Sequence, residues 1–420
     1  MKRYLVSALQ FILKTLAHAT IWRYRPGIVG VTGSVGKTST KLAIATVLAN
    51  ERSVRVSPGN FNNELGLPLA VLGDWQEIRG LLFWPRVIVA ALWRLIVKVA
   101  DYPEILVLEY GVDRPGDMRR LVSIARPNLS IVTAVGEIPA HVEFFSKPEA
   151  VAREKARLIE CLPVASFAVL NRDSDMVMEL KDRTRAHLIT FGFSRDADVA
   201  ISGYENRTEN GRPAGIGLKL NYGGASVPVR LDGVFGRAQA YAAAGAACVG
   251  IVFGMNLLKI AEALKGYRPP RGRMELFLGL KPQSIVLDDS YNANPLSVEA
   301  ALDTLKDLPA KRRIAVLGDM REIGKYAMAA HEDIGRTAAK VVDIIVTIGP
   351  LAKFIAEGAK KGGLKKGEIF SFETAEEAHS VVQDLMKSGD VVLVKGSRAV
   401  ALEKVVQEII AKPEMPPEAR

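Results

Sequence analysis
The stretch Gly30 to Thr40 reads GVTGSVGKTST, and its residue types fit one kind of chemistry. Ile28, Val29 and Val31 run into a glycine turn, after which Lys37, Thr38, Ser39 and Thr40 open a segment carrying Leu42, Ile44, Ala45, Val47 and Leu48 at helical spacing. In such a strand–turn–helix the backbone N–H groups around Gly33, Ser34 and Gly36 and the helix N-terminus point at anionic oxygens. Lys37 adds a point charge, and the Thr38 hydroxyl can hold a Mg²⁺. The strict pattern places a glycine where this chain has Val31, so the loop is a short variant running Gly33 to Thr38. A glycine turn without a ligand is the bland alternative, and strand, glycines, Lys-Thr and helix in register weigh against it.

A phosphate site needs further charged partners, and the ends of other apolar runs supply them. Ile105 to Leu108 leads into Glu109, a carboxylate at the C-terminal end of a strand, where parallel sheets bind ligands. Leu129 to Val135 ends near His141, and a helix expected from about Pro148 carries Arg153, Lys155 and Arg157. Ser57 to Leu69 (SPGNFNNELGLPL) is too rich in Asn, Gly and Pro for regular structure. It reads as a loop whose Asn62 and Asn63 hold either substrate or their own turns. After residue 270, polar residues recur at strand ends: Asp288 to Asn292, Gly318-Asp319-Met320 and Lys395-Gly396-Ser397-Arg398. Polar groups converging at the carboxyl edge of a second sheet predict a site facing the first.

The elements that must position these residues alternate strand and helix up to about residue 190. Phe191 to Leu231 then becomes an antiparallel meander, and Gly236 to Gly250 an alanine-rich helix. KGYRPPRGR, residues 265–273, is a Pro- and Gly-rich hinge. The expected fold is α/β: a P-loop central domain (27–270) with a parallel sheet plus the meander, then a Rossmann-like C-terminal domain (271–420). The 420 residues, 49% hydrophobic and 24% charged, exclude a disordered chain. Cys161 and Cys248 have no metal-ligand spacing and fit a reduced, cytoplasmic compartment. A net charge of +10 suits nucleotides or acidic membranes; without a concentrated basic run, zinc pattern or strand-borne aromatic motif, nucleic acid is not an expected partner.

Two segments stand outside this scheme. Residues 3–22 form a candidate amphipathic helix with a polar stripe of Arg3, Ser7, Gln10, Lys14 and His18, set in N-terminal residues 1–26. Residues 75–100 are an apolar insertion holding three of the four tryptophans, Trp75, Trp84 and Trp93, with Arg86, Arg94 and Lys98 on one side. The pair predicts an enzyme peripheral at the inner face of the cytoplasmic membrane, its basic stripe towards anionic lipid. The alternative is a hairpin packed on the protein.

Taken in order, these pieces resemble the Mur ligases, the ATP-dependent ligases of peptidoglycan precursor synthesis. The resemblance rests on TGSVGKTST, GNFNNELGLP, VLEYGVDRPGDM, HVEFFSKPEAVAREKARL, DDSYNANPLS, LGDMREIG with His331, and VKGSR. DDSYNANP and NFNNELGLP are similar to the branch that adds D-alanyl-D-alanine to a muramoyl-tripeptide. The resemblance implies that Gly33, Ser34, Gly36, Lys37, Thr38 and Ser39 hold ATP, and that Thr38, Glu109 and His141 hold two Mg²⁺ ions. It also implies a carbamate on Lys155, nucleotide contacts from Arg273, Asp289, Tyr291 and Asn292, and the incoming dipeptide at Gly396, Ser397 and Arg398. Lys37, Lys155 and His141 would serve catalysis, and Asn62 and Asn63 the muramoyl-peptide acceptor.

The chain departs from the family in two places. A domain that grips a UDP-sugar precedes the loop strand in the family, where this chain has 27 residues before Ile28. In the helix after Gly236-Arg237, the family's His-Asn and further Asn are replaced by Ala238-Gln239 and Ala242. Gln239 is expected to take over one amide contact to the nucleotide, and Ala242 cannot supply the other. Two alternatives follow: a related ligase with another acceptor, as in folylpolyglutamate or poly-γ-glutamate synthases, or an inactive, membrane-docked nucleotide-binding subunit. Lys37, Glu109, His141 and Lys155 together argue against the second.

Overall fold
A computed structural model describes residues 2–59, 61–80 and 82–411. The phosphate-loop strand β1 (Gly27–Thr32) lies inside a nine-stranded sheet. From one edge the order is β2 (Val54–Val56), β3 (Ile105–Glu109), β1, β4 (Leu129–Val132), β5 (Phe167–Asn171), β6 (His187–Gly192), β7 (Val199–Glu209), β8 (Arg212–Tyr222) and β9 (Ala225–Asp232). Pairing is parallel as far as β7 and antiparallel from β7 to β9. The chain leaves β1 for β2 and β3 on one side and returns to β4 on the other, so the loop after β1 opens at a topological switch point.

The first half of the chain carries helices α1 (Lys2–Tyr24), α2 (Lys37–Leu48), α3 (Gly66–Leu72), α4 (Phe83–Ile96), α5 (Asp117–Val122) and α6 (Pro148–Glu160). The one-turn α7 (Asp175–Met178) and α8 (Arg237–Val252) follow. Helices α2 and α8 share one core with strands of the large sheet, where Ala43, Ile44 and Val47 meet the alanines of α8. The contact is close: a Cβ on Gly245 would stand 2.8 Å from Ile131. Such a helix owes its place to burial on all sides, not to an amphipathic stripe.

The C-terminal sheet is ordered β10 (Glu275–Leu278), β11 (Ile285–Asp288), β15 (Asp390–Lys395), β12 (Arg312–Gly318), β13 (Ile344–Ile348), β14 (Ile369–Phe372). Only β10 runs antiparallel. Its strand ends bring Asp289, Asp319 and Lys395 to one edge.

The structure corrects the sequence reading in several places. The expected loop Ser57 to Leu69 ends in α3, whose seven residues are all buried. Pro68 sits in its first turn, where a missing N–H is tolerated. β5, β10 and β14 went unread in the sequence. Of residues 75–100 only the α4 span is helical, with Pro85 in its first turn.

The polar stripe of α1 is turned towards protein. Gln10 donates to Glu64 at 2.9 Å, Lys14 donates to the Ser123 hydroxyl at 2.8 Å, and the His18 ring meets the Ser123 carbonyl at 2.5 Å. The side chain of Arg3 lies outside the described residues. Leu13, Leu16, Leu69, Leu72, Phe83 and Val87 form a small core joining α1, α3 and α4, so the two apolar segments do pack together.

Candidate functional site
The loop after β1 is held open by its glycines. Gly33 has φ 146° and Gly36 φ 84°, both outside the range of ordinary L-residues. A Cβ on Gly33 would meet the Thr133 hydroxyl at 2.0 Å. That hydroxyl donates to the carbonyl of Val35 at 2.6 Å, while Ser34 N–H donates to Ala134 O at 2.7 Å. The loop is thus pinned to the end of β4, and α2 starts behind it with its first N–H groups free for an anion.

Glu109, at the end of β3, is 3% exposed and is the electrostatic centre of the site. It accepts from the Thr38 hydroxyl at 3.0 Å and from Asn62 Nδ2 at 3.2 Å, and stands 3.3 Å from Lys41 Nζ. Burial pushes its pKa up, but Lys41, Lys37 and Arg273 outweigh burial and hold it below the usual carboxylate range. Glu109 is therefore ionised. Lys37, half-buried at the mouth of the cleft, is pulled down by desolvation against the attraction of Glu109.

Thr38 and Glu109 present hard oxygens side by side, facing the loop that would hold phosphates. This donor set fits Mg²⁺, which is bound by one or two protein oxygens with phosphates and water completing the shell. Among the described residues no three His, Cys, Asp or Glu side chains converge to hold a metal unaided. His141, in the left-handed region at φ 67°, lies at the mouth with Asp113 at 3.4 Å and Glu322 at 3.0 Å. Its Nδ1 faces Glu322 without an aligned hydrogen bond. Lys155, on α6, is 2% exposed, and burial first, then the charge of Lys37, lowers its pKa to about 7.

A cleft of about 1030 Å³ separates these groups from the C-terminal sheet edge. From the far side Arg273 donates to the Thr38 hydroxyl at 3.3 Å, and its guanidinium lies 4.3 Å from the centre of the Tyr291 ring. Asp289 accepts from Lys395 Nζ at 2.5 Å and from Met274 N–H at 3.1 Å, and Lys395 also donates to the Asn292 carbonyl. The Ser397 hydroxyl accepts from Arg321 N–H at 2.9 Å. Gly396 leaves little room for a side chain: a Cβ would stand 2.7 Å from Leu402 Cδ1 and 3.1 Å from the Gly318 Cα. Arg398 is exposed at the rim, with its guanidinium 5.9 Å from the Tyr291 ring centre. An anion-binding loop, a neutralised carboxylate and cations from a second domain around one cleft are what transfer of a phosphoryl group requires.

Comparison with known proteins agrees with this geometry. The family model for the Mur ligase middle domain matches residues 91–250, and the model described as Mur ligase, glutamate ligase domain matches residues 272–398. The UDP-N-acetylmuramoyl-tripeptide--D-alanyl-D-alanine ligase of Mycobacterium bovis is 33% identical over 404 residues, covering 91% of this chain and 73% of that protein. The chain belongs to the Mur ligase family. The Bacillus subtilis ligase of the same name is 28% identical, over 96% of this chain and 79% of its own. The solved MurF ligase of Thermotoga maritima in complex with ADP superposes with a TM-score of 0.76 at 27% identity, over 95% of this chain and 83% of that one.

Within this Mur ligase fold the residues singled out from sequence take unequal places. Lys37, Glu109, Arg273, Asp289, Tyr291 and Asn292 line the cleft, as do Ser34, Gly36, Ser39, Asn62, His141, Ser397 and Arg398, while Thr38 is buried just behind them between Glu109 and Arg273. Gln239 also reaches it, but its amide is taken: it accepts from the Tyr267 hydroxyl at 2.7 Å and donates to the Arg273 carbonyl at 3.4 Å. It braces the hinge residue Arg273. Asn63 turns its carbonyl to the N–H groups of Leu65 and Gly66, holding the start of α3. His331 is fully buried and accepts from Met320 N–H at 2.9 Å, fixing the turn that follows β12.

Residue types alone gave no role to Lys41, Lys395, Asp113 or Glu322. Lys41 had a signal, a lone lysine one turn after Thr38 in an apolar helix. Lys395 was noticed only as part of a polar strand end.

Proposed function
We propose that this Mur ligase is an ATP-dependent amide ligase that joins D-alanyl-D-alanine to the carboxylate of a muramoyl-tripeptide, as the names of its relatives imply. The observation that carries the reading is the ionised Glu109 bonded to Thr38 beside Lys37, with Arg273 reaching the same hydroxyl from the other domain. Such a constellation binds a nucleoside triphosphate between two domains.

In the proposed reaction a carboxylate oxygen of the tripeptide attacks the γ-phosphorus, the bond to the bridging oxygen breaks, and ADP leaves. The dipeptide amine then attacks the acyl carbon of the acyl phosphate, gives up a proton and expels inorganic phosphate. Thr38 and Glu109 would hold Mg²⁺, which would neutralise charge on the phosphates. The chain's own part is positioning: the loop N–H groups and Lys37 hold the transferred phosphoryl group, and Arg273 draws the C-terminal domain over it. The Asp289–Lys395 pair sets the opposite wall, and closure of the cleft keeps water from the acyl phosphate.

Lys155 is proposed to carry a carbamate. A buried amine that is neutral near pH 7 can attack CO₂, releasing one proton to form an anion, and that anion would offset the crowding of Lys155 and Lys37. His141 and Asp113 would take the second Mg²⁺, and Ser397 and Arg398 the incoming dipeptide. The compartment is proposed to be the cytoplasm.

Phosphate release from ATP, measured with D-alanyl-D-alanine and a panel of UDP-linked and UDP-free muramoyl-tripeptides, tests the reading. Release should require both substrates, with ADP and the pentapeptide as products. Release with glutamate and a folate acceptor, and none with any muramoyl-tripeptide, would refute it.

A further inference from the structure
Helices α1 and α4 share a buried core, yet each also carries large apolar residues outwards. On α1, Phe11 is 72% and Trp22 75% exposed; on α4, Val89 is 65%, Trp93 60% and Ile96 76% exposed. At 100° per residue the three on α4 fall within an arc of about 60°, and the two on α1 within about 20°. Thr15, on the same side of α1, donates its hydroxyl to the carbonyl of Phe11 at 2.9 Å and so presents no unmet polar group. The residues that water would solvate, Gln10, Lys14 and His18, are used against Glu64 and Ser123. Leu13, Leu16 and Ala17 face the protein, and the polar stripe runs along one margin of the outward face, so α1 is apolar on both its inner and its outer side.

Both helices are held in place. The Tyr24 hydroxyl donates to the Arg94 carbonyl at 2.7 Å, and Arg23 reaches the Ile96 carbonyl, so their C-terminal ends meet. α1 is long and apolar enough to cross a membrane (Tyr4–Tyr24, mean hydropathy 1.3). Its contacts with α3, α4 and Ser123 instead lay it along the body of the protein.

We propose that the outward face of α1 and α4 docks on an anionic phospholipid surface. Charge at the edge of the face decides between lipid and a second copy of the chain. Arg25, Arg86 and Lys98 are exposed there, and among the described residues none of them is in an ion pair. In a two-fold pair of chains this basic edge would meet itself; against phosphatidylglycerol headgroups it meets opposite charge. Trp22 and Trp93 stand at the end where the two helices meet, near Arg25 and Lys98. Indole beside cation is the arrangement that suits the headgroup layer.

The face is continuous with the catalytic half of the protein. Phe61 and Leu65 pack on the core that joins α1, α3 and α4, and between them Asn62 bonds to Glu109. Docking therefore holds the cleft's acceptor loop close behind the membrane surface.

Co-sedimentation of the full chain with vesicles tests this without any turnover, so its outcome is independent of the ligase reading. The wild type should pellet with phosphatidylglycerol-rich vesicles at low salt and less at high salt. Arg25→Glu/Lys98→Glu should lose about fivefold or more in vesicle affinity per charge. Phe11→Glu/Trp93→Glu should stay in the supernatant while keeping the wild-type melting temperature and ATP binding, since both positions are exposed. The inference is overturned if the wild type fails to pellet at low salt, or if the Phe11→Glu/Trp93→Glu variant pellets like wild type. It is equally overturned if light scattering shows a dimer that this variant dissolves and the vesicles do not compete for, which assigns the face to a second copy.

Discussion

Lys41 offers the sharpest test of how the site is built. Its ammonium is 1% exposed, donates to the carbonyls of Ser57 at 2.7 Å and Gly59 at 3.2 Å, and lies 3.3 Å from Glu109. Lys41→Met keeps the length of the side chain and removes the charge. Breaking a buried ion pair from one side costs about 3–5 kcal/mol. Glu109 retains Thr38, Asn62 and Lys37 as partners, so the lower end, about 3 kcal/mol, is expected. At about 2–4 °C per kcal/mol for a domain of this size, the apo protein should melt about 6–12 °C lower.

Mg²⁺ with ATP brings positive charge to the same carboxylate. Saturating Mg-ATP should then recover at least half of the gap between variant and wild type, while ATP with a chelator should not. Differential scanning fluorimetry of both proteins in three buffers reads this out. Equal apo melting temperatures would refute the electrostatic role of Lys41. A gap that Mg-ATP leaves unchanged would show that Lys41 serves only to brace the Ser57 and Gly59 carbonyls.

Five further outcomes follow from the same geometry. Lys37→Ala should abolish ATP-dependent ligation with little change in melting temperature, because it removes a half-buried charge and no core volume; near-normal turnover sinks the phosphate-loop assignment. Gly33→Ala should lose ATP binding by calorimetry, since the added methyl would lie 2.0 Å from the Thr133 hydroxyl at a φ of 146°; unchanged affinity refutes the need for glycine there. Lys155→Ala should be almost inactive and partly rescued by added short-chain carboxylates, and unchanged kinetics would remove it from the site. For wild type, the Lys155 amine loses its proton as pH rises through about 7, so activation by bicarbonate should grow across that pH and be absent in Lys155→Ala. Bicarbonate activation that is flat from acid to alkaline pH counts against the carbamate. The folded state releases this proton at a lower pH than the unfolded chain, so the site's burden on stability should fall as pH rises from about 7 towards 10.5.

The sequence was most legible where local chemistry and sheet topology act together. A short apolar run ending in Glu109 could be placed at a carboxyl edge because parallel strands carry ligands there, and β3 does so. α3 was missed because its burial depends on α1, a contact distant in sequence; the Asn63 side chain that holds its start is only three residues away, but an Asn in such a stretch fits a turn equally well. Gln239 shows a different limit. Residue type says that an amide can bind a nucleotide, but its commitment to Tyr267 and Arg273 depends on how the hinge folds back. Lys41 was overlooked, and Lys395 placed at a strand end but given no partner, for the converse reason: a lysine is read as solvated until the surrounding carboxylates are seen.

The two apolar helices bring out what hydrophobic periodicity encodes. Periodicity reports that a helix has two unlike faces, and not which of them meets the protein. For α1 the choice was made by partners far off in the chain: Ser123 accepts Lys14 and His18, and Glu64 accepts Gln10. Once those polar residues are bound, the remaining circumference is too apolar to be buried entirely under one short helix, α3, and one neighbour, α4. The excess is forced outwards, to Phe11, Trp22 and Trp93. The polar stripe of α1, expected to face lipid, thus anchors the helix to the protein. Of the basic residues expected to face lipid on the second segment, Arg86 and Lys98 remain exposed at the margins of the face, joined by Arg25, whereas Arg94 turns inward to the Leu72 carbonyl. This arrangement predicts a distinction that the stripe reading does not: Lys14→Gln should leave vesicle affinity intact and lower the melting temperature, whereas Lys98→Gln should lower vesicle affinity and leave the melting temperature intact. The opposite pattern would return α1 to the orientation its sequence first implied.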